Sequence, residues 1–168
     1  MGRPKGELVV AGVRLLDRAA EVLRAGGCDP VFVVVRPGVT AAGAVVNPDP
    51  ASGLRSSLQL GIDAAQQCEA VAVLLADLPG VSADAVAGVL DGWRPGRIAV
   101  ATYEGVRGHP IVMSPDLWRE AIALAAPDEG ARALQRARPE LVDEVPLPGD
   151  PADLDTPADL ERWLAREA

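Results

Sequence analysis

Asp77 is the residue of this chain best placed to do chemistry. It ends the apolar run Ala70-Val71-Ala72-Val73-Leu74-Leu75-Ala76 and is followed by Leu78-Pro79. Such a continuous, β-branched run bounded by a turn signal reads as a strand buried on both faces. An acid at the carboxyl end of that strand lies where open α/β sheets bind ligands. A carboxylate there suits a divalent metal working on a phosphate-bearing substrate; the plainer alternative is an acid that caps its own turn. Asp155, in Asp153-Leu154-Asp155-Thr156-Pro157, supplies a second acid from a distant segment. Two such carboxylates can share one Mg²⁺, a hard cation that takes oxygen ligands. On spacing alone, Asp155 is equally an ordinary cap of the final helix, and that is the simpler reading.

Other candidates surround this pair. Gly2-Arg3-Pro4-Lys5 sets two cations beside turn-forming residues, suited to neutralising a triphosphate. Taken as four terminal residues, they also read as ordinary surface cations. Asn47-Pro48 and Gly53-Leu54-Arg55-Ser56-Ser57 form a polar loop feeding a helix expected over 56–67. Backbone N–H groups and hydroxyls at a helix start favour anions, and plain capping by Ser56 or Ser57 explains the same residues. The lone histidine, His109, falls in Gly105-Val106-Arg107-Gly108-His109-Pro110, read as a turn between two strands. From there it could project into the site or simply be solvated. Arg132, in Gly130-Ala131-Arg132, could bring another cation to the site, and a helix-surface cation is the simpler reading.

The elements that must position these residues alternate. Helices are expected over 15–25, 56–67, from Ser82, from Ser114-Pro115-Asp116, over 129–138, and from Thr156-Pro157 to the end. Strands are expected over 31–35, 44–46, 71–76, 98–102, 110–113 and 144–147. Alternation of this kind predicts an α/β domain with a mostly parallel sheet and helices on both faces. The 168 residues fit one domain. With 49% apolar residues and only 3% aromatics, its core must be built from Ala, Val and Leu. A net charge of −8 disfavours nucleic acid and anionic lipid as partners. Cys28 and Cys68 have no metal-ligand spacing and read as free thiols of a reducing cytoplasm. No apolar run approaches the roughly 18 residues of a membrane span.

In this order, Gly2-Arg3-Pro4-Lys5, Asn47 with Gly53 and Ser56-Ser57, Ala76-Asp77-Leu78-Pro79, Gly108-His109-Pro110, Gly130-Ala131-Arg132 and Asp155-Thr156-Pro157 resemble the MobA-like NTP transferases. The resemblance implies a three-layer Rossmann-like nucleotidyltransferase fold over 1–168. It assigns Arg3 and Lys5 to the nucleotide phosphates, with Lys5 and Asp77 as the catalytic pair. Asn47, Gly53 and Ser57 would lie along the nucleotide, His109 on the acceptor side, and Asp77 with Asp155 at Mg²⁺. The implied reaction moves a nucleoside monophosphate from CTP or GTP to molybdopterin and releases pyrophosphate. The Gly-His-Pro turn looks more like the cytidylyl branch. Two other functions fit the resemblance: a non-catalytic protein that delivers a cofactor to a molybdoenzyme, and an oxidoreductase of the same family. No complete Gly-x-Gly-x-x-Gly follows a strand, so nicotinamide binding has no sequence support.

One departure stands out. The family opens on a strand and a loop of the form Leu-Ala-Ala-Gly-x-Gly-x-Arg, and this chain begins where that loop ends. The strand would be central, and each buried, unpaired backbone group in an empty slot costs about 1–3 kcal/mol. A domain stable by only about 5–15 kcal/mol is not expected to tolerate that. Three outcomes are open: the true start lies upstream of Met1, which is the expectation; the sheet closes up by recruiting Leu8 to Ala11; or the chain is poorly folded.

Overall fold

The computed structural model describes residues 5–149 together with Asp159 and Trp163. A 3-10 turn, Lys5–Glu7, leads into a small hairpin of β1 (Val9–Val10) and β2 (Val13–Arg14). Ala11 (φ 51) and Gly12 (φ 83) make its two-residue turn, the left-handed pair that tight hairpins need. α1 (Leu15–Ala25) follows, then β3 (Val33–Val35), β4 (Ala44–Val46), α2 (Leu54–Ala64) and β5 (Val71–Val73). The chain continues through α3 (Ala83–Gly92), β6 (Ile98–Tyr103), β7 (Val106–Met113), α4 (Pro115–Leu124), α5 (Arg132–Ala137) and β8 (Val142–Pro146). Ser82 and Ser114 cap α3 and α4 by accepting from the N–H groups of Ala85 (3.2 Å) and Leu117 (3.4 Å).

The α/β layering is the expected one. The side chains of β6 alternate between two helical layers. Ile98 and Val100 pack with Ile62 of α2, Trp118 and Ile122 of α4, and Leu134 of α5. Ala99 and Ala101 pack with Val89 of α3, and α1 reaches the same layer through Val22 and Leu23. Small residues set how closely the layers approach. A Cβ on Gly26 would lie 2.5 Å from Val86 Cβ, so α1 can end against α3 only with glycine there. The main sheet is mixed, in the order β5-β7-β6-β8. β7 runs antiparallel to both neighbours, because the two-residue turn at Glu104 (φ 51) and Gly105 (φ 81) reverses the chain after β6. β8 joins β6 in parallel and β3 joins β4 in parallel.

One alternative left open by the sequence and one expectation do not hold. Leu8 to Ala11 is not recruited to close the sheet; Val9 and Val10 pair only within their own hairpin. The sheet is also not closed by other means. The β3–β4 ladder and the four-stranded sheet are separate, and Val31–Val35 and Ala70–Ala76 line one cavity of about 1300 Å³ between them. The fold spans this gap with helices: α2 packs on β3 and also on α4. The cavity is partly open, so water can reach the edge groups, and the penalty for dry, unpaired groups does not apply in full. Finally, the run Ala70–Ala76 is half-buried along its whole length rather than buried on both faces, because one edge of β5 looks into that cavity.

Candidate active site

Asp77 lies in the turn after β5, half-buried, with the chain folded back by a Leu78 N–H to Leu75 O bond of 3.4 Å. The buried Pro79 behind it accepts from Arg18 Nε at 3.3 Å, which ties the turn to α1. A strand whose ladder stops at Val73 followed by a proline turn places the acid at the strand's carboxyl end, as its sequence context requires.

His109 comes to the same place from another element. The sequence puts it in a turn; the structure puts it within β7, because the positive-φ pair Glu104-Gly105 completes the turn and the strand resumes at Val106. The buried Tyr103 donates its hydroxyl to the His109 carbonyl at 2.8 Å and fixes the strand there. Burial lowers the imidazole pKa to about 4; the Arg132 cation lowers it further and the Asp77 carboxylate opposes both. Burial and the Arg132 charge thus favour the neutral imidazole at pH 7, against the pull of the Asp77 carboxylate. Arg132 follows the less simple of its two sequence readings, a cation brought toward the site. It opens α5 and is exposed, as a surface cation should be, yet its charge acts on His109. The Gly130-Ala131 pair before it was the available signal: Gly130 sits close to Leu54 and Leu58, which draws the start of α5 toward α2.

Asn47, Ser57 and Gly53 form a second cluster at the start of α2. Asn47 is only 2% exposed. Its Nδ2 donates to Ser56 Oγ (2.9 Å) and Ser57 Oγ (3.0 Å), and its Oδ1 accepts from the Asp49 N–H at 3.0 Å. One side chain thus joins the end of β4 to the first turn of α2. That helix starts at Leu54, two residues before the expected Ser56. The reason is Gly53. With φ 92, it lets the chain turn beneath the loop after α4, where a Cβ would meet Pro127 O at 2.5 Å. Pro127 O then accepts from the Arg55 N–H at 2.9 Å, satisfying a first-turn donor that otherwise needs a cap. The two serines consequently lie inside the helix rather than capping it.

Lys5 opens the 3-10 turn, whose Gly6 approaches Ala76, one residue before Asp77: a Cβ on Gly6 would lie 3.5 Å from Ala76 Cβ. Arg3 and Asp155 lie outside the described residues. The structure thus brings Asp77, His109 and the Lys5–Glu7 turn to one end of β5. Among the described residues no three His, Cys, Asp or Glu side chains converge as a metal cage. A single carboxylate still fits Mg²⁺, which is commonly held by one or two carboxylates and completed by substrate phosphates and water. No helix of the described residues is long and apolar enough to cross a membrane.

A three-layer α/β core with an acid at the carboxyl end of β5 defines a Rossmann-like fold. The chain belongs to the MobA-like NTP transferase domain family, whose sequence profile matches residues 1–143. It is similar to the nicotine blue oxidoreductase of Paenarthrobacter nicotinovorans, with 34% identity over 98% of this chain and 90% of that protein. Its fold is shared by a nucleotidyl transferase from Methanothermobacter thermautotroptrophicus, with TM-score 0.81, 17% identity, and 98% and 86% of the two chains covered. It is also shared by 2-C-methyl-D-erythritol 4-phosphate cytidylyltransferase from Thermus thermophilus, with TM-score 0.73, 24% identity, and 97% and 93% covered.

Proposed function

We propose that the protein is a Mg²⁺-dependent nucleotidyltransferase. It transfers a nucleoside monophosphate, CMP in preference to GMP, from an NTP to a phosphate of a molybdopterin-type acceptor. The observation that carries this reading is the meeting of Asp77, His109 and the Lys5–Glu7 turn at the carboxyl end of β5. An acceptor phosphate oxygen attacks the α-phosphorus in line. The bond from that phosphorus to the α,β-bridging oxygen breaks, and pyrophosphate leaves with the electron pair. Bound metal supplies charge neutralisation of the phosphates, and Asp77, with Asp155 as the second acid, would hold it. Lys5 and Arg3 take up charge on the departing pyrophosphate. His109, kept neutral, offers a hydrogen bond on the acceptor side without adding positive charge. Asn47 orients Ser57 and the first turn of α2 beside the nucleotide. Such a reaction asks the protein for positioning and charge compensation more than for covalent participation.

The 34% identity to nicotine blue oxidoreductase favours a second reading, a redox enzyme on the same fold. One comparison separates the two. The purified protein is given Mg²⁺, each NTP and molybdopterin, and pyrophosphate is measured; in parallel, consumption of a reduced nicotinamide is followed with nicotine blue. Pyrophosphate release supports the transferase. Reductant consumption with no pyrophosphate supports the oxidoreductase.

A further inference from the structure

Among the described residues, Arg132 is the one arginine whose side chain makes neither a hydrogen bond nor an ion pair. Every other described arginine is engaged, Arg55 with Ala125 O at 3.2 Å and Arg18 with Pro79 O at 3.3 Å among them. The acids nearest to Arg132 in sequence are turned elsewhere. Glu129 holds Arg136 and accepts from the Ala126 N–H at 3.4 Å, and the Arg132 charge acts on it less than Arg136 does. Asp128 lays its Oδ1 over Gly53, where a Cβ would meet it at 2.8 Å. In a chain of net charge −8, a cation left without a carboxylate is not explained by charge balance. Nor does helix formation explain it, because a cation in the first turn of α5 opposes the positive end of its own helix.

The backbone that carries this guanidinium is fixed. Ala131 and Ala133, on either side of Arg132, are buried, and Ala131 packs in one cluster with Ile111 of β7, two residues after His109. The loop leading to α5 is clamped to the first turn of α2: Ala125 O accepts from the Arg55 side chain and Pro127 O from the Arg55 N–H. Gly130 completes the contact, since a Cβ there would lie 3.4 Å from Leu58 Cδ1. Arg132 is thus held where two elements of the site meet, α2 with Ser57 in its first turn and β7 with His109. Its charge reaches the His109 imidazole, on which Asp77 acts with the opposite sign.

We propose that Arg132 binds a phosphate monoester beside His109, and that this monoester is the attacking phosphate of the acceptor. The assignment of the monoester rests on the transferase reading above. That reaction brings two anions together. Metal at Asp77 offsets the triphosphate, and the acceptor phosphate needs a cation of its own. Arg132 is the described arginine with all its donors to give. A guanidinium engages two phosphate oxygens through parallel N–H donors, which leaves the third oxygen to attack the α-phosphorus. Attack forms the product's new phosphorus–oxygen bond, and pyrophosphate departs with the electron pair of the bond that breaks. Arg132 stays protonated throughout; it holds charge and position and takes no proton.

The chain has a single histidine, so one imidazole signal reports on the site. Methyl phosphate is titrated into the whole chain and that signal is followed by NMR in wild type, Arg132→Gln, Arg132→Lys and Arg119→Gln. The last is a control, since Arg119 is already paired with Asp116 at 2.8 Å. Arg132 is exposed, so its substitution leaves the core intact. Wild type and the control should show the same saturable shift. Arg132→Gln should weaken half-saturation at least about tenfold, and Arg132→Lys should fall between, as a point charge without paired donors. No shift in wild type, or an unchanged titration in Arg132→Gln, overturns the proposal. In pyrophosphate release, Arg132→Gln should raise the acceptor KM at least about tenfold and leave the CTP KM within about twofold. A rise in the CTP KM alone also overturns the proposal, because the guanidinium then serves the nucleotide. If wild type releases no pyrophosphate while the imidazole titrations behave as stated, the transferase reading fails and the monoester site stands.

Discussion

Asp77 and His109 come from different segments and share one electrostatic neighbourhood, so each can be tested through the other. Asp77→Asn removes a charge without changing shape. It should lower kcat at least about 10²-fold, by analogy with losing one preorganised electrostatic group. Steady-state kinetics on a variant with wild-type thermal unfolding checks this, and unchanged turnover refutes the assignment. His109 makes a pH prediction. Its folded pKa of about 4 lies below the ordinary 6.5, so between these values the unfolded chain binds more protons than the folded one. Stability should therefore be fully present above about pH 6.5 and decline as pH falls toward 4, by an amount bounded at about 3 kcal/mol. In denaturant titrations across that window, His109→Gln should lose a smaller share of its stability than wild type; equal slopes would contradict a desolvated, neutral imidazole. Asn47→Ala should cost about 1–3 kcal/mol, because it strips partners from a nearly dry site. A change under about 0.5 kcal/mol would show that the two serines and the Asp49 N–H find water instead.

At the scale of elements, local signals were the legible ones. α1 begins and ends at the residues its helical spacing and the Gly26-Gly27 pair predict, and Ser82 and Ser114 cap as their sequence contexts require. What the sequence could not show were constraints imposed by other segments. The early start of α2 depends on Gly53 fitting under Pro127, more than seventy positions away. His109 moves from turn to strand because a two-residue turn absorbs the reversal, and a glycine-rich run does not reveal which of its residues will do so. Arg132 is exposed, so composition files it with surface cations, and only the packing of Gly130 on α2 brings it to the site. Gly53→Ala combines a positive φ with a backbone collision, and it should destabilise by at least about 1–3 kcal/mol. Chemical denaturation measures this directly, and a neutral result would mean that the loop after α4 moves freely.

For the whole molecule, the sequence prescribed the layers and the structure shows how they bear a divided sheet. A nearly complete apolar inventory of Ala, Val and Leu lets the helices sit close, and α2, held by both β3 and α4, bridges the two halves. The same arrangement leaves a cavity whose lining reaches Gly6 and Glu7, beside the turn that carries Asp77. The net charge of −8 sets a further condition: a triphosphate approaches an acidic protein, and local cations with a divalent metal must offset that field. Pyrophosphate release by the purified chain with Mg²⁺, CTP or GTP, and molybdopterin is the most direct measurement of the central claim. Release should require both metal and acceptor, be faster with CTP, and be largely lost in Asp77→Asn. Reduced-nicotinamide consumption with nicotine blue, with no pyrophosphate from either nucleotide, would contradict it.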